Sequence, residues 1–176
     1  MALSVFMKIS IICAMDEKRG IGKDGKIPWH LKDDLIKLKR LTKDHIVILG
    51  RKTYDSMVWY YNKSGKPMPG KLYIVVTHDK NYKPSRENAQ VVNSLDEAVS
   101  LARSHLAKLD EIFIIGGGQI FQQALPLASK LYLTIVEGDY SCDTFFPDYS
   151  AFKKVISQES KEGEGYKYRF LELERV

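Results

Sequence analysis

The segment "IPWHLKDDLIKLKRL", Ile27 to Leu41, sets two carboxylates side by side at the start of an apolar run. Leu31, Leu35, Leu38 and Leu41 recur at helical spacing, which predicts an amphipathic helix beginning just after Pro28. At about 100° per residue the four leucines form one stripe. Asp33 falls on the far side, beside Lys37 and Arg40, where water and cations solvate it. Asp34 falls inside the stripe, between the directions of Leu38 and Leu41. A carboxylate on a buried face is costly unless something pairs with it. Either Asp34 serves the first-turn N–H groups and the helix dipole, or it faces a pocket and accepts from a ligand carrying paired donors.

Two strand-to-helix junctions have the composition of phosphate cradles. In "EIFIIGGGQIF", Gly116, Gly117 and Gly118 remove side chains where backbone N–H groups and a helix dipole point outward. The run is not G-x-G-x-x-G, and no acidic residue stands at the spacing of a dinucleotide-binding Rossmann unit. Tight strand–helix packing is the other use of three glycines. "HIVILGRKTYDSM" repeats the arrangement, with Gly50 followed by Arg51, Lys52 and Thr53 at a helix N-terminus. Cations there oppose the dipole unless an anion is bound. Two cradles in one small sheet fit a single ligand with several phosphates, and a nicotinamide dinucleotide carrying a 2′-phosphate is the natural candidate.

The elements that must position these groups alternate along the chain. Strand "KISIICAM" leads through Gly20, Gly22 and Gly25 to the opening helix, then to strand "HIVILG" and a short helix after "RKT". A polar, aromatic, Gly/Pro-rich loop is expected from Tyr60 to Gly70, followed by strands "LYIVVT" and "AQVV". A helix "SLDEAVSLARSHLAKL" follows, with Ser94 and Glu97 as a capping box. Strand "EIFIIG" and helix "QIFQQAL", ending near Pro126, precede "KLYLTIVE", "KKVISQES" and "YKYRFLELE", which have no helix between them. The alternation predicts a three-layer α/β fold: a mostly parallel sheet with helices on both faces and an antiparallel C-terminal edge.

At 176 residues, 44% hydrophobic and 28% charged, the chain is long enough for a real core. Met7 offers an internal start, which leaves residues 1–7 as an extension to a single domain over 8–176. The net charge of +5 favours anionic partners, but the basic residues are scattered and follow no nucleic-acid-binding pattern. Two distant cysteines, no metal-ligand spacing among four histidines, and no signal or transmembrane segment point to a metal-free cytoplasmic protein.

In combination, the motifs resemble the bacterial-type dihydrofolate reductase family. They are "GIGKDGKIPWHLKDDL", "GRKTYDSM", "PMPG", "IIGGGQIF" and "LYLTIVEGDYSCDTFFPDY", with a final long hairpin, and the match runs from Lys8 to the C-terminus. The resemblance implies an eight-stranded sheet and the reduction of 7,8-dihydrofolate to tetrahydrofolate by NADPH, with hydride passing to pterin C6. It makes Asp34 the carboxylate that binds the pterin 2-amino group and N3–H. Trp29 then holds a structural water near Asp34, and Thr134 hydrogen-bonds the carboxylate or that water. Cys13, Ala14, Ile27, Leu35 and Leu38 join Met57, Met68, Lys71 and Ile115 around the substrate. Ala14 and Ile21 offer backbone groups to the nicotinamide carboxamide, and Ile115 stands nearby. The pyrophosphate lies along Gly116, Gly117, Gly118, Gln119, Ile120 and Phe121, with a cis peptide at Gly116–Gly117. Gly50, Arg51, Lys52 and Thr53 hold the phosphates, Arg51 facing the 2′-phosphate, with Thr77 and His78 beside them. The loop from Met15 to Trp29 is the expected lid. Antifolates that mimic a protonated pterin are expected to bind through Asp34, and a monomer is the family default.

Three positions depart from the family pattern. Lys71 stands where an arginine grips the α-carboxylate of the glutamate tail, Leu38 replaces a phenylalanine that packs on the aminobenzoyl ring, and Phe121 replaces a common tyrosine. Val58 to Gly65 is an extra stretch whose aromatics are placed to cover the tail end of the cleft. The departures at Lys71 and Leu38 leave open a reductase of tail-less dihydropteridines. A pyrimidine reductase on the same fold would keep the cradles without the Trp29–Asp34–Thr134 set. A noncatalytic NADPH- or RNA-binding protein is the alternative of a different class.

Overall fold

A computed structural model of the chain describes residues 7–105 and 111–176. In chain order the elements are β1 (Lys8–Asp16), β2 (Gly20–Gly22), α1 (Lys32–Thr42), β3 (Ile46–Gly50), α2 (Arg51–Ser64), β4 (Leu72–Val76), β5 (Ala89–Val92), α3 (Leu95–Ser104), β6 (Glu111–Ile114), α4 (Gly118–Ala124), β7 (Lys130–Val136), β8 (Thr144–Phe145), β9 (Lys154–Gly163) and β10 (Tyr166–Glu174). The main sheet has eight strands in the order β5-β4-β3-β6-β1-β7-β10-β9. All pairings from β5 to β7 are parallel, whereas β10 runs antiparallel to β7 and to β9. The mostly parallel sheet with an antiparallel C-terminal edge is thus present.

Side-chain alternation makes the three layers. Ile9, Ile11, Cys13 and Met15 of β1, with Ile46 and Ile48 of β3, pack in one cluster with Leu95, Ala98 and Ala102 of α3 and Ile120, Phe121 and Ala124 of α4. Val47 and Leu49 turn to the other face, against Tyr54 and Val58 of α2. Ile12 and Phe113 meet Leu38 and Leu41 of α1 on that second face. Parallel strands covered on both sides read as unbroken apolar runs, which is why "IVILG" and "EIFI" carry so few polar residues.

Several local expectations are corrected. Helix α1 starts at Lys32 with Leu31 as its N-cap, so Trp29 and His30 precede it instead of forming its first turn. Helix α2 continues through Ser64 and stops at Gly65, whose φ of +69° provides a left-handed cap, so the expected loop from Tyr60 is helix for its first five residues. Lys37 is not on a solvated face: it is 7% exposed, whereas Ile36 beside it is 53% exposed. Ser94 caps α3 by accepting from the Glu97 N–H at 3.1 Å, but the Glu97 carboxylate accepts from Asn93, one residue before the cap. The glycine-rich loop after β1 also contains β2, which pairs with β8 in a small separate ribbon. The expected end of the α3 helix, residues 106–109, and the extension before Met7 lie outside the described residues.

Candidate active site

Asp34 lies in the first turn of α1, turned toward the sheet. The Thr134 hydroxyl of β7 donates to its Oδ1 at 2.6 Å. Thr134 is 2% exposed and pairs in register with Ala14 of β1 and Phe170 of β10, so three strands fix the donor. The carboxylate therefore has a fixed partner on the sheet. Burial pushes the Asp34 carboxyl above its ordinary range, while the Thr134 hydrogen bond and the charge of Lys37 act in the opposite direction. Cys13 stands close enough to feel that charge: burial first and Asp34 second push its thiol upward. Trp29 is buried with Leu31, Val136 and Tyr168, with Ala14 packed against the same cluster, and meets Tyr140 edge-on at 5.3 Å between centroids.

The two glycine cradles adjoin. The Gly50 N–H donates to the Gly116 carbonyl at 2.8 Å, and the Ile115 N–H donates to Ile48 at 3.1 Å, which ties the ends of β3 and β6 together. The Gly116–Gly117 peptide is cis. Gly116 has φ +126°, and a Cβ there would meet the Phe121 ring at 3.2 Å. Only glycine suits that position, and Phe121 backs the cradle with an apolar ring that also stacks edge-on against Phe146 at 5.1 Å. Thr53 Oγ1 lies 3.8 Å from the Cβ positions of both Gly116 and Gly117. Helix α2 has no acidic residue in its first turn and begins with Arg51 and the exposed Lys52, so its positive end has no anionic complement of its own. Arg51 lies near Asp55 at 4.0 Å and over the Tyr82 ring at 5.9 Å. Thr77 and His78 follow β4 at the same sheet edge, one and two residues past the Gly50–Val76 pair, and His78 is exposed. Gln119 is exposed, whereas Ile120 is buried.

Between α1 and α2 the floor is apolar. Ile115 packs with both the Leu38 cluster and the cluster that includes Met57 and Met68. Leu35 is half-buried beside Asp34, while Ile27, ahead of α1, is 63% exposed. Thr53, Met57 and Tyr60 share one face of α2, and Tyr60 meets Tyr61 edge-on at 5.3 Å. Lys71 is at the opposite end of β4 from the cradles, its N–H donating to His45 at 3.0 Å. Five residues of strand separate the two ends by about 17 Å.

The loop expected to act as a lid is fastened by residues that sequence reasoning missed. Asp16 is 1% exposed at the end of β1. Its Oδ1 accepts from the N–H groups of Lys18 and Gly20 at 2.9 and 2.8 Å, and its Oδ2 accepts from Tyr140 at 3.0 Å. Farther along, the Asp24 N–H donates to Asp143 at 2.9 Å, and Asp143 returns an N–H to the Gly22 carbonyl at 2.9 Å. Ile21 reaches over Gly118, its Cδ1 3.8 Å from the Cβ position there. The lid and glycine cradle predicted separately are thus in contact. The available signal was an acidic residue closing an apolar run, "IICAMD".

The family model for dihydrofolate reductase matches residues 8–175. The chain belongs to the dihydrofolate reductase family. It is 36% identical over 175 residues to dihydrofolate reductase of Staphylococcus haemolyticus, covering 97% of this chain and 98% of that one. Dihydrofolate reductase type 3 of Salmonella typhimurium is 41% identical over 143 residues, covering 81% and 80%. The solved structure of dihydrofolate reductase from Enterococcus faecalis, complexed with NADP(H) and RAB-propyl, superimposes with a TM-score of 0.78 at 28% identity and 96% coverage of both chains. No helix among the described residues is long and apolar enough to cross a membrane.

Proposed function

We propose that this chain reduces 7,8-dihydrofolate to 5,6,7,8-tetrahydrofolate with NADPH, and that Asp34 is the carboxylate that binds the pterin 2-amino group and N3–H. The observation that carries the reading is the partly buried Asp34, with one oxygen committed to Thr134 at 2.6 Å. Family membership supports the cofactor, and the residues fit it. The glycines at 116 and 118 stand where a side chain would strike Phe121 and Thr144, so their backbone carries no side chain of its own, and the cations at the α2 N-terminus complement phosphate.

NADPH, when bound, supplies the hydride. Asp34 orients the pterin through paired hydrogen bonds and holds the ring in the tautomer whose N5 takes a proton from water. Thr134 keeps the carboxylate aimed, and Trp29 with the buried cluster around it excludes solvent from that side. Arg51, Lys52 and Thr53 bind phosphate, with Arg51 toward the 2′-phosphate. Ile21 covers the cradle from the lid. Leu38, Met57 and Ile115 line the aminobenzoyl region, and Lys71 meets the tail carboxylate as a point charge. Protonated-pterin mimics bind at Asp34, and the enzyme works as a cytoplasmic monomer.

The test is NADPH oxidation on addition of dihydrofolate, run beside Asp34→Asn. The expected result is turnover in the parent and a loss of more than a hundredfold in the variant, with cofactor affinity retained. A parent that binds NADPH and ignores dihydrofolate overturns the assignment.

A further inference from the structure

Lys37 is a buried lysine three residues after Asp34 on α1, 7% exposed. Lysines are seldom buried without a partner. Its Nζ lies 4.2 Å from the centroid of Phe170, a favourable cation–ring distance. Phe170 pairs in register with Thr134, the residue whose hydroxyl holds Asp34. The ring that seats the ammonium and the hydroxyl that seats the carboxylate are therefore cross-strand neighbours. Side chains three apart on a helix start about 5–6 Å from one another.

The surroundings leave Lys37 as the cation acting on this carboxylate among the described residues. Cys13 of β1 and Tyr168 of β10 also feel Asp34, but both titrate upward, away from their charged forms, Tyr168 to about 12. The Tyr168 hydroxyl donates to Asp33 at 2.9 Å. Lys37 itself is faced by Glu172 of β10, Glu159 of β9 and Asp34, which favour the ammonium, and by Arg40, which opposes it; burial lowers its titration point. Lys161 of β9 lies 5.3 Å from the same Phe170 ring and is paired with Asp33 at 3.9 Å and Glu159 at 3.7 Å.

We infer that Lys37 is a positioning residue for the reductase reaction: its ammonium, seated on Phe170, is the counter-charge that keeps the Asp34 carboxylate ionised before a pterin arrives. The inference rests on the reading of Asp34 as the pterin acceptor. It distinguishes an electrostatic role from packing, because a cationic ligand changes the charge balance. In the free enzyme Lys37 stabilises the Asp34 anion. Once a protonated diaminopyrimidine binds, Lys37 attracts the carboxylate and repels the ligand, and the two effects nearly cancel.

The test is the affinity of 2,4-diamino-5-benzylpyrimidine, measured by calorimetry from pH 4.5 to 8.5 for the parent, Lys37→Met and Lys37→Arg. Removing the ammonium should tighten binding roughly ten- to a hundredfold where Asp34 is ionised in the free enzyme. That is the Coulomb attraction of unit charges ~6 Å apart at an effective dielectric of about 20–40. The affinities should converge at acid pH, with the break in the Lys37→Met profile displaced to higher pH, and Lys37→Arg should follow the parent. Weakening by the same factor at every pH would make Lys37 a packing residue, and superimposable profiles would leave it no role; either overturns the inference. Lys37→Gln, which keeps most of the stem, gives the same readout if Lys37→Met does not fold. Failure of the underlying reading looks different: the parent would neither turn over dihydrofolate nor bind the pyrimidine.

Discussion

Replacing Thr134 by Val removes one hydroxyl and little else. The position is 2% exposed, mid-strand between Ala14 and Phe170, and valine has the same branching and a high strand preference. What is lost is the 2.6 Å hydrogen bond to Asp34 Oδ1. A hydrogen bond to a charged partner contributes about 1.5–3 kcal/mol, against about 0.5–1.5 kcal/mol to a neutral one. The expected destabilisation is therefore about 2 kcal/mol where Asp34 is ionised and about 1 kcal/mol where it is protonated. For a chain of this size, 1 kcal/mol moves the melting temperature by about 2–4 °C. Thr134→Val should thus melt about 4–8 °C below the parent at pH 7.5, and about half as far below it in acid.

The pH dependence has a definite sign. Burial already raises the Asp34 carboxyl in the folded protein, and losing the hydroxyl raises it further. A carboxyl raised in the folded state contributes stability that is present below its unfolded pKa and lost as pH rises through its folded pKa. The unfolded chain titrates alike in both proteins, so the difference between variant and parent widens only as pH rises through the folded Asp34 pKa, above the ordinary carboxylate value. Scanning calorimetry at pH 3.5, 5.5 and 7.5 measures it. An equal loss at all three pH values would show that the hydroxyl does not act through ionised Asp34.

Asp34→Asn should melt above the parent at pH 7.5 and lose that advantage in acid, because it removes a buried charge the folded state holds at a cost. Asp16→Ala deprives three N–H groups of their acceptor. It should lower stability by about 2–4 kcal/mol and raise KM for NADPH several-fold as Ile21 loses its seat over Gly118; an unchanged KM in a folded variant would detach Asp16 from the lid. Lys71→Arg should lower KM for dihydrofolate several-fold by restoring a bidentate fork. The same variant should leave a tail-less 6-methyl-dihydropterin unaffected, and a parallel change with both substrates would contradict the placement of Lys71.

Most of the sheet was legible because strands buried on both faces are written as short apolar runs. The far end of α2 was not. The stretch from Tyr60 reads as an aromatic, polar loop, yet Tyr54, Val58 and Tyr61 carry a helical spacing into it and Gly65 carries the stop. The β2–β8 ribbon, three residues against two, is too short to show periodicity, and its pairing joins positions 20–22 with 144–145. No local pattern encodes that partner.

Asp34 and Lys37 separate what a helical wheel can and cannot tell. A wheel identifies Asp34 as a charge within an apolar stripe, hence as a cost that something must offset. It places Lys37 beside Asp33 on the polar side, where a basic residue ordinarily extends into water. What decides both cases is remote in sequence. Thr134 is 100 residues from Asp34, and Phe170 lies on the final strand. Once β10 is laid antiparallel to β7, Phe170 comes beside Thr134 and covers the Lys37 side of α1, and the lysine that the helix alone would solvate is enclosed with the carboxylate. Local periodicity thus exposes the energetic problem at the site, while the C-terminal hairpin supplies its solution.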